Sequence, residues 1–254
     1  MDYTCIMFEK KDKIAVITLN RPKVLNAMNH QMWLEIMDAL EIVRNDDQIK
    51  ALVFTGQGRA FSTGADLKDS KGRSLEDYRK YLEALQEASR KIINFEKPTL
   101  AAINGYALGS GYELALACDI RFAASDAQIG SPEARVTSSV TGGAFRLLQD
   151  IVGSAKAREL LFTAENISGV EAQAIGLVNY AVLPEALMEE TFKMAKKIVS
   201  NSAFSLAMIK KGLLMAQGEV SLSALMSYEV EACLACVSTK ERQASLETFE
   251  KRKE

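Results

Sequence analysis

The stretch TLAAINGYALGSGYELALACDIR, residues 99–121, reads as a buried strand over 99–103, a glycine-dense turn holding Gly105, Gly109 and Gly111, and an apolar segment over 113–118 suited to the start of a helix. A strand that feeds a helix through glycines brings free backbone N–H groups to the helix N-terminus, where they can hold an anion. The same N–H groups can hold a developing oxyanion. One carboxylate, Glu113, falls in the first helical turn beside them. The combination points towards acyl chemistry. Taken alone, the stretch also has a plainer explanation: Glu in a first turn complements the helix dipole, and glycines at such a turn often serve tight packing. The rest of the chain has to decide.

Upstream, ALVFTGQGRAFSTGADL (residues 51–67) repeats the plan, placing Thr63, Gly64 and Ala65 beyond a strand and before a polar segment. Two such loops can converge on one oxygen. Gly56-Gln57-Gly58 lacks the Gly-Lys-[Ser/Thr] ending of a phosphate loop. Gly109-Ser110-Gly111 lacks the third glycine of a dinucleotide fingerprint, because residue 114 is Leu. A second acid, Glu133, follows Pro132 in IGSPEARV. Two carboxylates flanking one substrate can add or remove water across a double bond, one handling the water and the other the proton on carbon.

Composition sets the bounds. The chain has 254 residues, 48% of them hydrophobic, enough for a large core in one domain or a domain with an appendage. Thirty-one Lys and Arg are interspersed with 33 Asp and Glu, giving a net charge of −2. No basic face suggests nucleic acid, and no apolar run reaches the roughly 18 residues that span a bilayer. The opening MDYTCIMFEKKDK has neither a signal-peptide nor a transit-peptide plan. A cytoplasmic enzyme with reduced thiols is expected. Of the four cysteines, Cys233 and Cys236 form a C-x-x-C pair inside a helical pattern, with no second pair to complete a zinc site; they read as core residues. The single histidine, His30, follows Asn29 at a helix start and reads as a surface or capping residue. Carboxylates are therefore the leading acid–base candidates.

Along the chain, 5–9 and 14–19 read as paired strands, 29–43 as an amphipathic helix with Met32, Ile36, Ala39, Leu40 and Val43 on one face, 51–55 as a strand, 75–95 as a helix, and 99–103 and 120–123 as strands. Strands separated by helices predict α/β architecture with a largely parallel sheet. From about Gly142 the chain reads as successive helices, over 142–151, 155–161, 169–174, 185–199, 203–217, 222–236 and 240–251.

With these segments in place, the chain resembles the crotonase, or enoyl-CoA hydratase/isomerase, family from end to end. The matching blocks are ITLNRPKVLNAM (17–28), AFSTGADL (60–67), the glycine-turn block (98–123), IGSPEA (129–134), AREL with ISGVEAQAIGLVNYAV (157–182), and a tail ending FEKRK. The resemblance implies a spiral of repeated ββα units in a core over 1–200 that holds the acyl-CoA site. It also implies a helical region over 201–254 that packs on the core and on neighbouring subunits in trimers or hexamers. The implied substrate is an acyl-CoA thioester, handled without metal or redox cofactor in fatty acid metabolism, with no nucleic acid or membrane partner.

By the same resemblance Glu113 orients and activates water, Glu133 gives the proton to the α-carbon, and the oxyanion-hole N–H groups belong to Thr63 and Ser110. Substrate contacts fall on Leu25, Ala27, Thr63, Gly64, Ala65, Asp66 and Ser110, and Arg21, Lys23 and Lys68 are candidate partners for the CoA phosphates. Having both acids favours an enoyl-CoA hydratase. The alternatives are a Δ3,Δ2-enoyl-CoA isomerase, a 3-hydroxyacyl-CoA dehydratase, or a non-catalytic acyl-CoA-binding protein. The run VTSSVTGGAFRLL after Glu133 departs from the family pattern and is about one residue shorter.

Overall fold

The computed structural model describes residues 2–70, 72–218, 220–239 and 242. Among the described residues, ten strands form two sheets. They are β1 (Ile6–Lys11), β2 (Ile14–Leu19), β3 (Ala51–Gly56), β4 (Ala60–Ser62), β5 (Thr99–Ile103), β6 (Tyr106–Leu108), β7 (Ile120–Ala124), β8 (Gln128–Gly130), β9 (Ile167–Ser168) and β10 (Tyr180–Val182). The helices are α1 (His30–Arg44), α2 (Leu67–Ser70), α3 (Leu75–Ile93), α4 (Ser110–Ala117), α5 (Ala144–Val152), α6 (Ser154–Thr163), α7 (Gly169–Ala174), α8 (Leu187–Val199), α9 (Ala203–Ala216) and α10 (Leu222–Val237).

The large sheet runs β1-β2-β3-β5-β7-β10 and is parallel except for the β1–β2 hairpin. The small sheet runs β4-β6-β8-β9. Each of β4, β6 and β8 follows directly on a large-sheet strand, so the chain turns a corner from one sheet to the other three times and then enters a helical segment. This is a spiral of ββα units. The corners are locked by Asn104, whose Oδ1 accepts the Gly56 N–H at 3.1 Å and whose Nδ2 donates to the Gly58 carbonyl at 2.8 Å.

The apolar runs of the central strands are continuous because both faces of the sheet are covered, as parallel sheets require. Alternate residues go to opposite sides. Ile14, Val16, Ala51, Val53, Leu100 and Ala102 face α8, whereas Ala15, Ile17, Leu52, Phe54, Ala101 and Ile103 face the core shared with α1, α3 and α4. The five apolar residues expected on one face of α1 are all fully buried there. The helix starts where Asn29 accepts the Met32 N–H at 2.9 Å, so Asn29, not His30, is the cap. A buried acid on α1, Glu35, ties down the first strand: its oxygens accept the N–H groups of Thr4, Cys5 and Ile6 at 2.8–3.2 Å.

The second half is less purely helical than its sequence suggests. β9 closes the small sheet against β8, and β10 adds a last parallel strand beside β7, where Tyr180 stacks on Phe122. Beyond them, α9 is held to the core by Lys210, whose Nζ lies 2.7 Å from Asp119 Oδ2. α10 packs on α9 and buries none of its own residues. An apolar cavity of 470 Å³ lies between these two helices. Cys5 and Cys118 are buried, whereas the core reading of Cys233 and Cys236 is corrected: Cys233 is exposed and Cys236 half-buried, because they sit on this exposed pair of helices. The expected helix over 240–251 and the FEKRK tail lie outside the described residues, Arg242 apart.

The step that positions the functional loops is the entry into α4, an eight-residue helix in which every residue is buried. A Cβ on Gly111 would stand 2.6 Å from both the Cβ and the carbonyl oxygen of Ser62 on β4. Nothing larger than hydrogen fits there. Gly111→Ala is therefore expected to force α4 and β4 apart, lowering stability by about 1–3 kcal/mol as overpacking does. Chemical denaturation checks this, and an unchanged midpoint would show that the two elements are free to shift.

Candidate active site

Four segments enclose a cavity of 260 Å³. β4 runs out into Thr63, Gly64 and Ala65; the turn into α4 contributes Gly109, Ser110 and Glu113; the chain after β8 contributes Glu133 and Thr141; and α3 supplies an aromatic and aliphatic wall that includes Tyr78, Tyr81, Leu82 and Leu85. The sequence-derived candidates Glu113, Glu133, Ser110, Thr63, Gly64 and Ala65 thus meet in one place.

The two loops are in contact. A Cβ on Gly64, whose φ is +91°, would come within 2.8 Å of the Leu108 carbonyl and 3.3 Å of the Ser110 nitrogen. Ser110 opens α4, so its N–H has no acceptor within the helix, and none is found among the described residues.

On the other loop, the placement of a free donor at Thr63 is corrected by the hydrogen bonds. The Thr63 N–H donates to the Leu25 carbonyl at 3.1 Å, the Gly64 N–H to Ser62 Oγ at 3.1 Å, and the Asp66 N–H to the Met28 carbonyl at 3.1 Å. The segment Leu25–Met28 runs alongside as a short parallel bridge and occupies Thr63. The Ala65 N–H has no acceptor among the described residues and lies in the cavity wall.

Leu25, Ala27 and Asp66 do not line the cavity. They brace it from behind: Leu25 through Thr63, and Asp66 through an ion pair with Arg21 at 2.8 Å, while Arg21 also donates to the Ala27 carbonyl at 2.5 Å. Arg21 is thereby engaged within the chain, whereas Lys23 and Lys68 are exposed.

The two acids differ in environment. Glu113 is 2% exposed. Its Oε1 accepts the Thr141 N–H and its Oε2 accepts the Thr141 hydroxyl at 2.7 Å. Burial, opposed by these two donors and reinforced by the charge of Glu133, leaves its carboxyl pushed up to about 7. Glu133 lies at the start of a 3-10 turn (Pro132–Val136), where Oε2 accepts the Ser131 hydroxyl at 2.5 Å. Its Oε1 rests against Gly109, whose added Cβ would lie 2.9 Å away; the φ of +52° at Gly109 makes glycine doubly suitable. Thr141 and Ser131, the hydroxyl partners of the two acids, were not singled out in the sequence; the only signals were the unusual loop after Glu133 and the Ser before Pro132.

A family model described as "Enoyl-CoA hydratase/isomerase" matches residues 9–254. The chain is 38% identical over 255 residues to the crotonyl-CoA hydratase of Syntrophomonas wolfei, covering 100% of this chain and 98% of that protein. It is 36% identical over 255 residues to the short-chain-enoyl-CoA hydratase of Clostridium acetobutylicum, covering 100% and 97%. The solved enoyl-CoA hydratase of Bacillus anthracis superposes with a TM-score of 0.95 at 30% identity, over 98% of this chain and 97% of that one.

The chain belongs to the enoyl-CoA hydratase/isomerase family.

Membership places the cavity between the two ββα loops in a fold shared with these hydratases. Among the described residues of this family member, no three His, Cys, Asp or Glu stand together as a metal site would require, and no helix is long and apolar enough to cross a membrane.

The raised Glu113 carboxyl has a consequence for folding. In the unfolded chain the group ionises near its ordinary value of 4.5, and in the folded chain near 7. The folded state therefore favours the neutral acid, and the stability this provides is full below pH 4.5 and lost as pH rises through 7. Glu113→Gln has no such loss. It is expected to be more stable than the parent at pH 8, by about 3 kcal/mol, with the difference vanishing towards pH 4.5. Melting curves across this range check it; a difference that does not change with pH would mean that burial leaves the carboxyl unshifted.

Proposed function

We propose that the protein hydrates a 2-enoyl-CoA thioester to a 3-hydroxyacyl-CoA, as a metal-independent and redox-neutral lyase. The observation that carries this reading is the meeting of two carboxylates and two unpartnered backbone donors in one small cavity. The thioester carbonyl sits between the N–H groups of Ala65 and Ser110, which bind it more strongly as it gains charge. Glu113, in its ionised form, takes a proton from water as the water oxygen bonds to C3. Glu133, in its protonated form, delivers a proton to C2. One O–H bond of water breaks, one C–O and one C–H bond form, and the two acids have exchanged protonation states by the end of the step.

A Δ3,Δ2-isomerase needs only to move one proton between carbons, and a second acid braced by its own hydroxyl favours the water reaction over that alternative. A passive acyl-CoA binder would have no use for a buried acid with a carboxyl near neutrality. The same machinery run in reverse is a dehydratase. The cavity size and the relatives named for short-chain and crotonyl substrates make crotonyl-CoA the first substrate to test, by loss of enoyl-thioester absorbance. Glu113→Gln and Glu133→Gln are each expected to lower turnover about a hundred- to ten-thousand-fold. In the parent, kcat/KM is expected to fall as pH rises through about 7, because the reactive form of the pair carries one proton, on Glu133 with Glu113 ionised, and that last proton is lost as the Glu113 carboxyl titrates. Parent-like rates in both variants would sink the assignment.

The reading extends to assembly. Residues 1–200 are the unit bearing the acyl-CoA site, and 201–254 the region that packs on the core and on neighbouring copies in a homotrimer or a pair of trimers. Support comes from α9 and α10, where Ile209, Leu213, Leu222, Met226, Val230 and Leu234 are all more than half exposed in the single chain, an apolar area that proteins normally cover. The four free cysteines suit a reducing cytoplasm. Light scattering at micromolar concentration is expected to give three or six times the chain mass; an active monomer would refute the assembly.

A further inference from the structure

Glu113 is buried on a helix that offers its carboxylate no donor, and both donors it has come from one residue of the chain after Glu133. Thr141 gives its N–H to Oε1 and its hydroxyl to Oε2, the latter at 2.7 Å. The loop is pressed against the acid: a Cβ on Gly142, whose φ is +59°, would stand 3.2 Å from the Cβ of Glu113 and 3.1 Å from Ser89 Oγ. Any residue except proline at position 141 could supply the N–H. Only Ser or Thr could supply this hydroxyl at this place, in the run VTSSVTGGAFRLL after Glu133.

We propose that the Thr141 hydroxyl is a positioning residue for the hydration step, fixing the plane of the Glu113 carboxylate and holding it in the charged form that accepts a proton from water. This rests on the hydratase reading above. An ionised carboxylate has about four lone-pair sites. Two are taken by Thr141, one on each oxygen, so the group cannot rotate about its terminal torsion without breaking both bonds. The remaining sites are left for the cavity, where water enters. Hydrogen bonds to a charged acceptor are the strong ones, and they favour the charged form over the neutral acid.

Little else around Glu113 does so. Glu133, from the turn after β8, pushes it towards the neutral form. Tyr112 on its own helix and Tyr81 on α3 are phenols that burial pushes further from ionising, and the other side chains of this kind nearby, Tyr78 on α3 and Tyr106 on β6, are phenols as well. β4 offers no titratable group. The charges of α3 and α5 lie at the surface or in ion pairs such as Lys91–Glu41 and Arg146–Asp150. No cation among the described residues contributes to the balance at Glu113.

The test compares the parent with Thr141→Val, which keeps shape and N–H but loses the hydroxyl, and Thr141→Ser, which keeps the hydroxyl. Thr141→Ala serves as a second hydroxyl-free variant should Val fail to fold. Two readouts are taken: the pH profile of kcat/KM with crotonyl-CoA, and direct titration of Glu113 in the free protein by NMR of 13C-labelled glutamate, assigned by its loss in Glu113→Gln. Without the hydroxyl, the limb near pH 7 and the directly titrated midpoint are expected to move up together by about one pH unit, the size of one charge-assisted hydrogen bond. The rate then falls about tenfold below that limb, where the proton settles on Glu113 instead of Glu133, and only a few-fold above it, while Thr141→Ser overlays the parent. An unmoved limb and midpoint in Val and Ala, a uniform loss of rate at every pH, or a serine variant that behaves like valine would each overturn the proposal. If the parent does not hydrate any enoyl-CoA, the functional reading fails on its own, and the titration still decides whether the hydroxyl holds the carboxylate.

Discussion

Ser62 and Gly111 meet so closely that only hydrogen fits between the helix and the strand, and the geometry of the cavity follows from that approach. With α4 seated on β4, the first turn of the helix presents the Ser110 N–H beside Gly64, bringing the second loop with it. The same seating buries the whole of α4 and with it the Glu113 side chain. A glycine required by packing and a donor required by chemistry are therefore two results of one contact. The small sheet makes this possible: its three-residue strands serve mainly to carry the chain from each large-sheet strand back over the core at a fixed spacing.

Placing a carboxyl there has two electrostatic consequences of opposite sign. Desolvation disfavours the charged form, while the helix N-terminus, close to Glu113 in sequence, favours negative charge. The outcome is an acid near neutrality, able to gain or lose a proton at little energetic expense. The site is thus less stable than a site filled by an apolar or amide side chain would be, as expected where a fold gives up stability for reactivity. Glu133 has different surroundings, on a partly open turn with the Ser131 hydroxyl as its partner, so the fold gives two identical side chains unlike environments.

The sequence made the large elements legible. Apolar runs gave β2, β3, β5 and β7, and a one-sided stripe gave α1, because these signals extend over enough residues to show their period. β4, β6, β8, β9 and β10 span two or three residues each, too few for any period, and were absorbed into loops or helices. Glu113, Glu133 and Ser110 were visible through their motifs. The exchange of Thr63 for Ala65 as the free donor was not, because which way an N–H points depends on the turn at Gly64 and on the Leu25–Met28 segment, distant in sequence, that lies alongside. Cys233 was read as core from its apolar neighbours, but in α10 those neighbours are themselves uncovered. Thr141 was invisible for the same reason as Ala65: its role exists only once the loop has folded back over α4.

The helical end of the chain is tied to the chemistry through one anchor. Asp119 follows the C-terminal end of α4, accepts the N–H and hydroxyl of Thr99 at the start of β5, and takes the Lys210 ammonium of α9. The strand that leads into the glycine turn, the helix that carries Glu113 and the first helix of the exposed pair are thus fastened at a single carboxylate. Lys210 is nearly buried, and a buried ion pair that loses one partner leaves an uncompensated charge. Displacing α9 would therefore strain the same junction that holds both ends of the β5–α4 unit. A surface that covers the apolar face of α9 and α10 would oppose that displacement, and with it any unseating of α4 from β4. Through Asp119, the support of α9 is also the support of the helix that carries Glu113, which couples the exposed pair of helices to the cavity.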